Sequence, residues 1–300
     1  MEDTPSGPVQ GITRRRLLKV MAGSAALCSA GAAYAFAIEP TWLRTVEQEV
    51  QVRGLDSAFR GYTIGQLSDL HVGAGVPLPY LRGAVQRLNA AAPDVIAVTG
   101  DIVHAGGSPE QARTAAGVLA GLQAPDGVYA VLGNHDLGVH DRHGRERPGS
   151  RAQILDALHA VGIRVLENEE KSVWRGTARL RLIGLGDLWG GRHDPEAAGR
   201  PSPGVPRIVL CHNPDAAPHL ADRDVDLVLC GHTHGGQVSI PFLGTPILPV
   251  QNREYVAGLY RVGETALYVN RGVGWLRRVR LFVRPEVTLL RLQPRTAYAR

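Results

Sequence analysis

Residues 94–101 read Asp-Val-Ile-Ala-Val-Thr-Gly-Asp (DVIAVTGD), a nearly continuous apolar run that stops at Gly100 and Asp101. Such a short run, rich in Val and Ile and without polar alternation, is typical of a strand that is buried on both faces. Gly100 allows a tight turn, which aims the carboxylate of Asp101 beyond the end of the strand. The pattern therefore predicts a buried strand that delivers a polar side chain to its carboxyl end.

The same arrangement recurs four more times along the chain. The apolar runs and the polar clusters that stop them are Tyr62–Ser68 before Asp69, Val128–Leu132 before Gly133-Asn134-His135-Asp136, Arg207–Cys211 before His212, and Asp226–Cys230 before Gly231-His232-Thr233-His234. Ligand sites in α/β folds gather beyond the carboxyl ends of the strands, so these clusters are expected to lie near one another.

Helical patterns separate several of these strands, at Leu81–Ala91, Glu110–Leu122 and Ala152–Val161. The last third of the chain carries further strand patterns with few helices between them, at Leu180–Leu185, Gln237–Ile240, Ala266–Asn270 and Val287–Leu292. Alternating strands and helices followed by additional strands predict an α/β fold, a layered sandwich of two mixed β-sheets flanked by helices. The late strands are expected to build the second sheet.

The polar clusters together contain two Asp, one Asn and four His that can act as metal ligands: Asp69, His71, Asp101, Asn134, His212, His232 and His234. In an extended segment, side chains two residues apart point the same way, so each closely spaced pair is expected to converge. Asp101 has two carboxylate oxygens and can bridge two ions. A mixed nitrogen and oxygen donor set suits Mn, Fe, Zn or Co better than Mg or Ca.

The ordered series Asp-x-His, Gly-Asp, Gly-Asn-His-Asp, His and Gly-His-Thr-His resembles the calcineurin-like metallophosphoesterase superfamily, roughly over residues 60–292. His-Gly-Gly-Gln at 234–237 and Asn-Arg-Gly at 270–272 look like its bacterial exported branch. That branch includes phosphodiesterases and is similar to UDP-2,3-diacylglucosamine pyrophosphate hydrolases. The resemblance implies a metallophosphoesterase-like fold with two divalent transition-metal ions. One ion would be held by Asp69, His71, Asp101 and His234, and the other by Asp101, Asn134, His212 and His232.

The resemblance also implies a mechanism, in which a hydroxide that bridges the two ions attacks phosphorus and His135 protonates the leaving group as general acid. Asp136 would orient His135. The chain is accordingly expected to be a metal-dependent phosphoric ester hydrolase, a phosphodiesterase or pyrophosphatase whose substrate is lipid- or nucleotide-linked. Two alternatives remain open: a non-catalytic, metal-loaded envelope-binding protein, and a nuclease or nucleotidase. Asp187-Leu188-Trp189 departs from the acidic pair that the exported branch often carries.

The N-terminus has the features of an export signal. Residues 13–19 read Thr-Arg-Arg-Arg-Leu-Leu-Lys, and no charged residue follows between Val20 and Ile38. This resembles the twin-arginine signal and predicts export by the twin-arginine machinery, to the periplasm or the outer face of the membrane or cell wall. Ala33-Tyr34-Ala35 is a candidate cleavage site, and cleavage is favoured over retention as a membrane anchor because the stretch is Ala/Gly-rich. The predicted organisation is a leader over 1–40 and a metallophosphoesterase domain over 41–300.

The composition of the chain indicates which classes of partner it is expected to bind. Hydrophobic residues make up 44% and charged residues 20% of the chain, as in ordinary globular proteins. A net charge of +5 with 5% aromatic residues predicts no specific nucleic-acid partner. The C-terminal arginines, such as Arg277 and Arg278, are interpreted either as a solvated edge or as a contact for an anionic partner, such as a phospholipid headgroup at a membrane surface or a substrate phosphate. Cys211 and Cys230 close apolar runs and are expected to be buried thiols.

Overall fold

The computed structural model describes residues 13–139, 151–199 and 204–295. Its α-helices within these ranges are α1 Arg14–Ala33, α2 Leu78–Ala90, α3 Pro109–Leu119 and α4 Arg151–Ala160. Its strands are β1 Arg44–Val52, β2 Thr63–Leu67, β3 Val95–Thr99, β4 Val128–Val131, β5 Arg164–Val165, β6 Glu169–Arg175, β7 Ala178–Gly184, β8 Arg207–Leu210, β9 Leu227–Cys230, β10 Gly258–Val262, β11 Thr265–Val269 and β12 Glu286–Pro294.

The strands form two six-stranded mixed sheets, in the orders β1-β12-β2-β3-β4-β5 and β10-β11-β9-β8-β7-β6. In the first sheet, β2 to β5 run parallel, while β12 is antiparallel to β2 and parallel to β1. In the second sheet, β7, β8, β9 and β11 run parallel, and β6 and β10 are antiparallel edge strands. The predicted sandwich of two mixed sheets flanked by helices is confirmed.

Burial on both faces explains why the central strands, such as β3, β8 and β9, are nearly continuous apolar runs. In β3, Val95 and Ala97 pack into the core between the two sheets, whereas Ile96 and Val98 pack against the helical layer of α2, α3 and α4. The outer face of the second sheet is covered by the 3₁₀ segment Pro214–Arg223 and neighbouring turns. Because neither face meets water, polar alternation would leave buried polar groups unpaired.

Two strand assignments from the sequence need correction, and β1, β5, β6 and β10 were not predicted. Val287–Leu292, expected in the second sheet, lies within β12 and pairs with β1 and β2 of the first sheet. Gln237–Ile240 is not a strand, since it forms only the isolated bridges of Val238 to Leu281 and Ile240 to Gly244. The strand β1 was not predicted, because its exposed edge carries polar side chains and gives no apolar run.

The helix α1 stands apart from the sandwich, since none of its residues is buried. It continues through Tyr34–Ile38 and Glu39–Thr41, and the whole segment Arg14–Thr41 is long and apolar enough to cross a membrane. A signal sequence near an N-terminus has the same length and composition, so the helix by itself agrees with either role.

Candidate metal centre

The polar clusters meet at one edge of the sandwich, where strands of both sheets end. The backbone amide of Asp69 donates to Gly100 O over 2.9 Å, which joins the loops after β2 and β3. The ring of His212, after β8 of the second sheet, contacts Thr99 O at the end of β3, with 2.8 Å between Nδ1 and the oxygen. Contacts across the two sheets therefore bring residues that are distant in sequence into one site.

The structure groups the predicted ligands into two clusters that share Asp101. Within each cluster the potential ligand atoms all lie within 4.8 Å of one another, and every member is buried. One cluster is Asp69, His71, Asp101 and His234, and the other is Asp101, His212 and His232. The first cluster has the four members that the resemblance implies for one ion, and the second has three of the four implied for the other, without Asn134.

Asp101 connects the clusters through a single oxygen atom. Its Oδ2 lies 3.5 Å from His71 Nε2 and 3.2 Å from His212 Nε2. Its Oδ1 accepts a hydrogen bond of 2.9 Å from the backbone amide of His135. The sequence suggested that one oxygen would serve each ion, whereas here one oxygen faces both clusters and the other holds the His135 loop.

Two imidazoles are oriented by backbone carbonyls on their outer sides. His212 donates from Nδ1 to Thr99 O, and His232 donates from Nε2 to Pro249 O over 2.7 Å. The other ring nitrogens, His212 Nε2 and His232 Nδ1, lie 3.1 Å apart on the inner side. Metal-binding histidines typically use the second ring nitrogen in this way, to fix both tautomer and ring orientation.

Asn134 is the remaining predicted ligand, and it offers a neutral oxygen. Its Nδ2 donates to Val139 O over 2.7 Å, while its buried Oδ1 has no hydrogen-bond partner among the described residues. Leaving a buried carbonyl oxygen unpaired is costly, and a cation would satisfy it. The donor set of imidazole, carboxylate and amide thus fits two divalent transition-metal ions.

The electrostatics of the site favour the metal-binding protonation state at four of the predicted ligands. They oppose it at Asp69, whose pKa burial raises to about 7, and at His212, where burial by itself would lower the pKa but the nearby carboxylates, chiefly Asp101, outweigh it and raise that pKa well above 6.5. Burial lowers the pKa of His71 and His234 well below the usual value, and that of His232 to about 3, so these rings are neutral. Burial by itself would raise the pKa of Asp101, but the charges of His212 and His135 outweigh it and lower that pKa well below 3.8. Neutral imidazoles and an ionised carboxylate are the forms that coordinate cations.

The backbone at the ligands is left-handed. Asp69, His71, Asp101, His232 and His234 have φ angles between 49° and 70°. Such angles are uncommon for residues with side chains, and their concentration here marks a functional site that the surrounding fold holds in place. The expectation of extended segments was therefore wrong. Asp69 and His71 still lie in one cluster, whereas His232 and His234 lie in different clusters, as the family resemblance implies.

Two glycines let the loops approach closely enough to build the site. A Cβ atom at Gly133 would collide with the Asp101 carboxylate, and one at Gly231 would collide with the Asp69 carboxylate and with Ser68 Oγ. Neither glycine has a positive φ, so the requirement is for space rather than for backbone freedom. The Gly of each Gly-Asn-His-Asp and Gly-His-Thr-His motif is thereby explained.

His135 lies beside the clusters without being part of either. Its ring is 4.8 Å from that of His71 between centroids, and it stacks on His104 at 5.1 Å. The predicted partner Asp136 is buried and accepts from the amides of Val103 and Gly133 over 2.8 and 2.9 Å. Asp136 therefore braces the turn that carries His135, and its influence on the ring is transmitted through the backbone.

Two further residues belong to this region. His104 is not among the residues that the sequence singles out, yet its ring lies 5.5 Å from that of His71. Its only signal in the sequence is its position three residues after Asp101. Asp187, three residues after the end of β7, is buried with its Oδ2 unpaired among the described residues. Burial raises the pKa of Asp187 to about 6.

Comparison with known proteins adds independent information. Residues 62–236 match the model of the calcineurin-like phosphoesterase family. The chain is 36% identical to the phosphodiesterase YaeI of Escherichia coli, over 94% of this chain and 99% of that protein. It is 33% identical to the uncharacterized metallophosphoesterase YkuE of Bacillus subtilis, over 94% and 98%. It is 30% identical to the UDP-2,3-diacylglucosamine pyrophosphatase LpxG of Chlamydia trachomatis, over 85% and 90%.

Proposed function

Because this chain belongs to the calcineurin-like metallophosphoesterase family and is therefore a metal-dependent phosphoester hydrolase, we propose that it cleaves phosphodiester or pyrophosphate bonds in the cell envelope. The substrate would be a lipid- or nucleotide-linked phosphoester. Relatives named as a phosphodiesterase and as a pyrophosphatase of a diacylated nucleotide sugar support both the bond and the substrate class.

One observation carries the proposal: the carboxylate of Asp101 serves both clusters and the His135 loop at once. Oδ2 faces His71 and His212, and Oδ1 accepts from the His135 amide. His135 is consequently held at a fixed position relative to both sets of ligands. A general acid must be held at a fixed distance from the leaving group to which it donates a proton.

The two ions, when bound by the clusters, would neutralise charge on the phosphoryl oxygens and lower the pKa of a water molecule. The protein's own part is to orient and to donate a proton. His135 would hold a proton at Nε2 and pass it to the leaving oxygen, with His104 stacked against its ring to keep it in place. The carboxylates of Asp69 and Asp101 would balance the positive charge of the ions, and the histidine rings of the two clusters would hold the ions in place.

A substrate comparison tests this function. We expect the purified full-length chain, supplied with Mn, Fe, Zn or Co, to hydrolyse bis(p-nitrophenyl) phosphate or a UDP-linked pyrophosphate more efficiently than p-nitrophenyl phosphate, measured as kcat/KM. A preference for the monoester would contradict the assignment. Failure to turn over any of the three with any metal would favour the metal-loaded binding protein instead, and preferential cleavage of oligonucleotides would favour a nuclease.

Export by the twin-arginine machinery is the proposed route to the envelope. Replacing Arg14 and Arg15 together with Lys should leave the precursor in the cytoplasm, because the planar guanidinium fork is not reproduced by an ammonium group. The measurement is cell fractionation followed by immunoblotting. Arg16→Lys is the matched control, since it changes the neighbouring arginine and should be exported normally. Normal export of the double variant would rule out this route.

A further inference from the structure

Large apolar side chains are exposed on two adjoining loops near the metal centre, residues 241–247 and residues 276–282, which together are called the apolar face. Phe242 is fully exposed, Leu243 and Ile247 are each 78% exposed, and Phe282 is 63% exposed. An exposed cluster of this kind on a soluble domain usually marks a contact with another protein or with a membrane.

The two loops are held together by backbone contacts. Ser239 N donates to Leu281 O, and Leu281 N donates to Gln237 O, each over 2.9 Å. The side chain of Gln237 donates to the carbonyls of Arg277 and Val279 over 2.7 Å. These bonds join the backbone segments that carry the two parts of the apolar face.

The N-terminal helix ends directly against this face. Arg280 N donates to Ala35 O over 2.9 Å, and Phe282 N donates to Glu39 Oε2 over 2.8 Å. The guanidinium of Arg284 lies 4.1 Å from the centre of the Trp42 ring. The segment Arg14–Thr41, which is long and apolar enough to cross a membrane, thus meets the domain without an intervening linker.

These contacts also bear on cleavage at Ala33-Tyr34-Ala35. Ala35 is buried, and the residues around it are helical rather than extended. Cleavage favours exposed backbone that is free of hydrogen bonds, so this packed motif is a poor site. Retention of the helix as an anchor, the alternative that the sequence did not favour, follows from this packing.

Charge identifies the partner that fits the apolar face. Arg277 and Arg278 are both exposed beside Leu276, and Trp42 lies exposed at the end of the helix. Apolar tips flanked by arginine and tryptophan are typical of surfaces that sit at the headgroup level of a bilayer. Clustered arginines add attraction to anionic lipids. At the other end of the helix, Arg14 and its basic neighbours match the cytoplasmic side.

We infer that the apolar face docks on a bilayer rich in anionic phospholipid, with the helix Arg14–Thr41 retained as its anchor. A cavity of about 380 Å³ opens between the same two loops, and its lining includes the metal-ligand candidate His234 together with Gln237, Ile247 and Leu276. The metal centre would therefore open towards the membrane surface, where a lipid-linked phosphoester is presented. That last consequence rests on the proposed function, whereas the docking itself does not.

Lipid contact can be measured on the full-length chain in vesicles. Cys28→Ser removes the exposed thiol, and Leu243→Cys then allows labelling with the environment-sensitive dye NBD, because Cys211 and Cys230 are buried. The control carries Trp174→Cys in the same background, at an exposed position on β6 outside the apolar face. In phosphatidylcholine–phosphatidylglycerol vesicles with bromine-labelled acyl chains, NBD at 243 should emit at shorter wavelength and be quenched several-fold more strongly than NBD at 174.

Equal quenching at the two positions would overturn the inference, and so would a wavelength shift at 243 without bromine quenching, which would indicate contact with another protein chain. Arg277→Gln with Arg278→Gln should weaken the quenching at 243, and an unchanged signal would remove the role of anionic lipid. Hydrolysis of bis(p-nitrophenyl) phosphate in the same samples separates the two proposals. Quenching without turnover supports docking and contradicts the proposed function, and turnover without quenching does the reverse.

Discussion

Asp101→Ala should reduce the metal content from two ions per chain to none, because the variant loses the one oxygen atom that faces both clusters. Two ions contribute several kcal/mol to stabilising the transition state of phosphoryl transfer. Since about 1.4 kcal/mol corresponds to a tenfold change in rate, activity should fall by about 10³-fold or more. Elemental analysis of the purified protein and the rate of phosphodiester hydrolysis measure the two effects.

Asp226→Asn is the matched control for this experiment. Asp226 is also a buried aspartate next to a strand, but it precedes β9 and binds Arg53 and the amide of Arg207 at the opposite end from the metal centre. It should keep both ions. If Asp101→Ala still bound two ions with its fold intact, the shared-oxygen arrangement would be wrong. Loss of one ion only would show that Asp101 serves a single cluster.

His135→Ala should keep both ions and yet lower turnover by roughly 10²–10⁴-fold, the usual contribution of a positioned general acid. The ring of His135 contacts His71 and His104, but its nitrogen atoms are not needed to complete either ligand cluster. The loss should be large for a diester with an alkoxide leaving group. It should be small for nitrophenolate, which departs without protonation.

This dependence on the leaving group separates proton donation from other roles. Equal losses for both substrates would show that His135 binds the substrate rather than donating a proton. Loss of metal would show that it is a ligand, for which its position beside His71 and His104 offers a third possible cluster. His159→Ala, an exposed histidine at the end of α4, should leave both metal content and activity unchanged.

The sequence was sufficient to identify the candidate ligands and the class of fold, for a local reason. Each candidate ligand lies within four residues of the end of a short apolar run, as Asp101 does after Asp94–Thr99, and the chemistry of imidazole, carboxylate and amide is a property of the residue itself. Continuous apolar runs report burial on both faces, which is enough to predict buried strands in a layered α/β fold. The burial of a strand and the ligand chemistry of a side chain can both be inferred from residues that are close together in sequence.

Other features depended on pairings between distant residues. β12 inserts between β1 and β2 because its apolar side chains complete the core of the first sheet, and nothing local distinguishes that position from the second sheet. His104 reaches the site only because the loops after β3 and β4 fold together, which stacks it on His135. Sequence spacing carries no information on such contacts.

The tertiary structure also shows how the backbone divides the ligands, a division that the family resemblance implies but that residue spacing does not. His232 and His234 are two residues apart, and an extended backbone would have turned both towards one ion. Their left-handed φ angles instead send one ring to each cluster, and only the packed loops around them can hold backbone in that conformation. Likewise, the contacts of Ala35 and Glu39 with Arg280 and Phe282 exist only in the folded domain. Residue types thus specify which atoms can bind a metal, whereas long-range packing specifies where those atoms point.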